Sequence, residues 1–246
     1  MASRRLATRS HTTLALVLRR TPYGDSDLIT SLFTENLGRV SALARAARKS
    51  QRRFGGGLEP FHTLEVDLDQ SAGSELASLR AARVVQPRTR LLGSLAGMEA
   101  AGVFLGWLRH SAPEHAPEPM LWQLAIECLD QLERADVSPA AASNARLTLA
   151  AHGWRLLAVC GWRLELERCV VSGTRCPDEK SALIDPVRGG VVARAHGGAG
   201  ILVSGPTRQR LIATGRGHSD ALEVVDAEIV IELVERTLQA HAGLSR

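Results

Sequence analysis

From Phe61 to Asp69 the side chains alternate without a break: His62, Leu64, Val66 and Leu68 are opposed by Thr63, Glu65, Asp67 and Asp69. Successive strand residues point to opposite faces, so this pattern predicts a half-buried β-strand. Four more short runs accompany it. His11–Arg20 is rich in strand formers and ends in the turn cluster Pro22-Tyr23-Gly24-Asp25. Leu28–Thr34 ends at Asn36-Leu37-Gly38, which suits a tight hairpin with a positive φ. Arg39–Arg45 follows, with Val40, Ala42 and Ala44 facing inward and Arg39, Leu43 and Arg45 outward. Glu75–Val85 is the fifth candidate, although its alanines make a helix competitive. Five short strands in so brief a stretch predict a small barrel, because closure leaves no exposed edge.

Past Pro87 the period changes. Leu91–His110, Glu118–Arg134 and Pro139–Cys160 are apolar-periodic without β-branched runs, and they predict helices. The third opens at Ser138-Pro139, a capping residue followed by proline at the first helical position. A final helix is expected over Glu223–Ala240, and the four tryptophans (Trp107, Trp122, Trp154, Trp162) are expected to anchor a helical core. The fold class is therefore α+β in two domains: an oligonucleotide-binding (OB) type barrel over residues 1–85, then a helical domain over 86–246. Within the second, a turn-rich, cysteine-containing insert occupies 166–205.

Charge divides the chain in the same place. Residues 1–90 hold fifteen Arg/Lys against eight Asp/Glu, whereas 91–246 hold fifteen against eighteen. Between Asn36 and Leu58 stand Arg39, Arg45, Arg48, Lys49, Arg52 and Arg53 with no acid among them, closing on Phe54 and Gly55-Gly56-Gly57. A core cannot hold that many unpaired cations, so the run is expected to face solvent or a polyanion, with the glycines lending it mobility. Arg19 and Arg20 on the first strand are expected to extend the patch. Of the barrel's aromatics, Tyr23, Phe33, Phe54 and Phe61, the core takes some. Binding is thus expected to rest on phosphates, with base stacking minor.

No catalytic constellation emerges. There is no glycine-rich loop ending in Gly-Lys-Ser/Thr; Asp25 and Asp27 lie in a turn, where acids cap and solvate; His62 and His152 sit on apolar runs as core or boundary histidines. The chain reads as a binding protein and not an enzyme. Four cysteines (Cys128, Cys160, Cys169, Cys176) make no disulfide framework in a chain of this length, which suits a reducing cytoplasm. No apolar run is long enough to span a bilayer, and no membrane partner is expected.

The stretch from Tyr23 to Leu68, with LFTENLGRVSALARAARK followed by RRFGGGLEPFHTLEV, resembles the N-terminal module of the RecO family of bacterial DNA repair and recombination proteins. LAVCGWRLELERCV and IDPVRGGVVARAHGG resemble the stretches flanking that family's zinc loop. The resemblance implies an OB barrel, a helical domain and a zinc-ribbon-like insert. It also implies a cytoplasmic, nucleoid-associated mediator of the RecF pathway. Such a protein binds single- and double-stranded DNA, anneals complementary strands and helps load recombinase onto DNA coated by single-strand-binding protein. Its partners would be RecR, RecF, and the C-terminal tail of single-strand-binding protein. Several members carry four cysteines in the insert. This chain has Cys169 at the first position but Ser172, Ala193 and His196 at the others, with Cys176 nearby. The loop therefore reads as a degenerate, metal-free remnant, and no cofactor is expected. An RNA-binding or ribosome-associated barrel is the alternative, since OB barrels serve both nucleic acids.

Overall fold

The computed structural model describes residues 8–54, 58–71, 73–135, 140–218 and 220–244. Gly55–Gly57 and the Ser138-Pro139 helix start lie outside the described residues. Five strands close the barrel: β1 (Thr8–Tyr23), β2 (Asp27–Thr34), β3 (Gly38–Ala44), β4 (Thr63–Ser71) and β5 (Leu76–Gln86). Their order is β1-β2-β3-β5-β4, with β4 returning to β1 and only β3 and β5 parallel. That is the topology of an OB-type barrel. The alternation in β3 and β4 is realised: Val40, Ala42, Ala44, Leu64, Val66 and Leu68 are all buried and share one core with Ala15, Val17, Leu32, Ala77 and Leu79. The helical option for Glu75–Val85 loses because Ala77, Leu79 and Ala82 fill that core at strand spacing. A register shift around Asp67/Leu68 lets this alanine-rich strand bend as it closes the barrel.

β5 reaches only Ser41–Ala44 of β3, which leaves the start of β3 bare. The segment after Ser111 covers it: Arg39 N–H donates to Pro113 and His115 N–H to Arg39 O. Gly38 is needed at this point. Its φ is 70°, and a Cβ would collide with the Ala116 backbone. Accordingly, Met1–Leu91 and Ala112–Gln123 form one compact unit, while Leu92–Ser111 and Leu124–Arg246 form the other. Trp122, expected in a helical core, belongs to the barrel's unit and packs on Phe33 with ring centroids 5.8 Å apart.

Between β3 and β4 lies a helical turn, α1 (Gln51–Phe54), and after β5 another, α2 (Thr89–Leu92). The longer helices are α3 (Leu95–Ser111), α4 (Pro119–Arg134), α5 (Ala141–Val159), α6 (Gly205–Gly215) and α7 (Ala227–His241). Trp107 and Trp154 are buried, whereas Trp162 is only half-buried and stacks on His241. The insert carries a small antiparallel sheet, β6 (Ala182–Asp185), β7 (Gly190–Val192) and β8 (Ile201–Val203), in the order β7-β6-β8. Neither this sheet nor α6 is expected from the periodicity, although α6 has a readable start. Ser204 caps it by accepting the Thr207 N–H, and Pro206 stands in its first turn. Among the described residues no helix is long and apolar enough to cross a membrane.

Candidate nucleic-acid interface

The basic segment is a built structure over its described length. β3 ends at Ala44, and Ala46 turns the chain with φ 52°. Ser50 N–H and Lys49 N–H both donate back to Ala46 O, and Phe54 N–H donates to Ser50 O in α1. Asp27 organises the turn, its Oδ1 accepting the Ala46 N–H at 2.7 Å, while Arg48 N–H donates to Ser26 O. The segment is thereby docked on the hairpin turn between β1 and β2. Asp27 caps, as expected for an acid in a turn. The mobility expected from the glycines concerns residues outside the described set.

Arg45, Arg48, Lys49, Arg52 and Arg53 are all exposed. Among the described residues none of the five pairs with a carboxylate. Arg53 instead donates to Arg45 O at 2.8 Å and lies 5.3 Å from the Phe54 ring centroid. Five like charges over nine residues raise a strong positive potential at one end of the barrel. Two of them, Arg48 and Lys49, line a cleft of about 520 Å³ whose polar rim also includes Arg20 and Ser50. Leu28, Phe54 and Leu58 supply apolar lining, and among the described residues Glu59 is the one acid in it.

Two expected members of the patch fall elsewhere. Arg39 forms an ion pair with Glu114 at 2.8 Å and donates Nε to Ala112 O, so it secures the segment that covers β3. It lies six residues from Arg45 along β3, about 20 Å away at strand spacing. Arg19 is exposed, but it sits opposite Ser31, whereas Arg20 sits opposite the inward-facing Thr30. Adjacent strand residues take opposite faces, so Arg19 points away from the cleft. A bulge at Leu18 sets which of the two turns inward. Arg20 itself is partnered, through Nη1, with Glu59 at 2.7 Å.

Of the barrel aromatics, Phe33, Phe54 and Phe61 are buried, at 0%, 3% and 9% exposure, and Tyr23 alone stands out at 55%. A single exposed aromatic ring on a barrel with five cations that lack carboxylate partners among the described residues gives a surface suited to neutralising phosphates, with little stacking.

The insert gathers Cys169, Ser172 and Ala193, as knuckle spacing requires. Ala193 N–H donates to the Cys169 sulfur at 3.2 Å. Hydrogen bonds from the Ser172 hydroxyl and from the Ser172 and Ala193 backbone amides lower the Cys169 thiol to about 6. Cys176 Sγ instead lies toward Pro177 O, and His196 ends an exposed turn. Among the described residues no three His, Cys, Asp or Glu side chains converge into a group that could hold a metal ion. Something else ties the insert down. Arg208 is fully buried and donates to the carbonyls of Leu166, Pro177 and Asp178. Nothing near Arg208 in sequence marks it, because those acceptors lie 30 to 42 residues away.

Fold and surface together define a class: an OB-type barrel with a predominantly basic mouth, carried on the same chain as a helical unit. Comparison with known proteins makes this specific. Residues 9–88 match the model of Recombination protein O N terminal, and residues 99–240 match that of Recombination protein O C terminal. A DNA repair protein RecO of Geobacter sulfurreducens is 36% identical over 205 residues, 82% of this chain and 80% of that protein. The one from Pelobacter propionicus is 35% identical over 232 residues, covering 93% and 90%. The chain belongs to the RecO family, and with it to the proteins of DNA repair and recombination.

Proposed function

We propose that this chain is a recombination mediator that grips single- and double-stranded DNA by the backbone, anneals complementary strands, and helps load recombinase onto DNA coated by single-strand-binding protein. The observation that carries the proposal is the grouping of Arg45, Arg48, Lys49, Arg52 and Arg53, exposed and without carboxylate partners among the described residues, beside the cleft at the barrel mouth. Annealing needs two polyanions held close while their bases stay free. Charge neutralisation without stacking does that, because it screens strand–strand repulsion and occupies no base edge.

In this reading the chain works by binding, without covalent chemistry and without a metal, on the nucleoid in the cytoplasm. RecR, RecF and the tail of single-strand-binding protein are its proposed partners. Reversing Arg48, Lys49 and Arg52 together to Glu should abolish a gel shift with single-stranded DNA at low salt while the circular dichroism spectrum stays unchanged. Unaltered affinity would remove the proposal. Matched RNA competitors test the nucleic-acid class, and DNA is expected to compete better. Elemental analysis of the purified chain should find far less than one zinc per molecule; a value near one would overturn the metal-free reading.

A further inference from the structure

Among the described residues, Glu59 is the one carboxylate lining a cleft that also holds Arg20, Arg48 and Lys49. Its Oε1 lies 2.7 Å from Arg20 Nη1, as a phosphate oxygen would. The contact is built to be released. Both side chains are partly exposed, Arg20 at 35% and Glu59 at 54%, so the pair is screened by water and salt. It uses one guanidinium nitrogen, not the two-pronged grip that locks a carboxylate in place. Glu59 also stands in the turn between α1 and β4, so it can swing away without breaking a ladder bond. Arg20, by contrast, is fixed on β1 opposite Thr30 and aimed at the cleft.

We infer that Glu59 stands in for a DNA phosphate on Arg20, so that the chain's own carboxylate competes with DNA for the barrel mouth and weakens its grip. The inference rests on the proposed DNA-binding role of this cleft and adds its regulation. A strand entering the mouth must displace Glu59 from Arg20 and then sit beside the displaced charge. Both steps lower affinity, which suits a protein that must release annealed product.

The test is a two-by-two set of full-length chains: unaltered, Glu59→Gln, Arg20→Gln, and both. Each is titrated with a fluorescent oligothymidine strand across a salt series. Glu59→Gln should tighten binding about two- to fivefold at low salt, the strength of an exposed ion pair. That gain should shrink as salt rises, because salt screens the competing ion pair. In the Arg20→Gln background the same change should do much less, because the contact it would free is gone. Equal gains in both backgrounds would overturn the inference, since Glu59 would then act only as one more negative charge. Binding by the unaltered chain with no gain in Glu59→Gln would overturn it as well. No binding by the unaltered chain would remove the underlying reading together with it.

Discussion

Replacing Arg48, Lys49 and Arg52 together with Gln keeps the backbone hydrogen bonds of their turn and removes three of the five cations that lack carboxylate partners among the described residues. Each single-strand phosphate neutralised by such a cation contributes about 0.7 to the slope of log affinity against log salt. If all five mouth cations engage one phosphate each, the slope for the unaltered chain is about −3.5, and for the triple variant about −1.4. Between 50 and 200 mM salt, the first corresponds to roughly a hundredfold loss of affinity and the second to less than about tenfold. Fluorescence anisotropy with a labelled single strand, repeated at four or five salt concentrations, reads both slopes directly. Parallel slopes for the two proteins would refute the reasoning, because DNA would then be bound by cations elsewhere. A steep loss of affinity with an unchanged slope would refute it too, by showing that the substitutions acted on the fold.

Three further outcomes are expected. Asp27→Ala should weaken single-strand binding severalfold although it removes a negative charge, because the Ala46 N–H loses its acceptor and the basic turn loosens; Asp27→Asn keeps an acceptor and should bind nearly as the parent does, and tighter binding by Asp27→Ala would show that charge outweighs order there. Arg208→Met should cost about 1–3 kcal/mol in urea denaturation, since the Leu166 carbonyl loses its donor while Pro177 O keeps the Lys180 N–H and Asp178 O keeps Gln209 Nε2; a change within about 0.5 kcal/mol, the range of ordinary surface substitutions, would contradict that role. Burial lowers the His152 pKa, with Arg155 adding to the effect against the Thr148 carbonyl. The unfolded chain therefore takes up the proton first, and stability should fall as pH drops below about 6.5. His152→Gln should flatten that fall in thermal melts between pH 7 and 5, and identical profiles would rule His152 out.

Most of the barrel could be read from local pattern, because strand alternation and turn residues are short-range signals. The strand at Glu75–Val85 was ambiguous only because alanine fits either period; its inward side decides in the fold. The charge run was legible as charge, but not as a surface. Arg39 differs from Arg45 through Glu114, seventy-five residues downstream, and no window around Arg39 contains that acid. Arg19 and Arg20 look equivalent in sequence and are separated by a bulge at Leu18 that alternation does not announce. Glu59 sits one residue beyond the acid-free run, and its importance appears only once Arg20 is placed opposite it. Cys169 in the insert is readable by spacing, whereas the buried Arg208 is not, since an arginine among polar residues reads as solvated. Non-local pairing is the common reason for each of these differences.

In the function proposed above, the barrel mouth brings complementary strands together by their phosphates. This role is tested most directly by the annealing rate of complementary oligonucleotides coated with single-strand-binding protein. That rate should be measured with the unaltered chain and with the variant in which Arg48, Lys49 and Arg52 are Glu. Marked acceleration is expected from the first and none from the second. Equal acceleration by both would contradict that role.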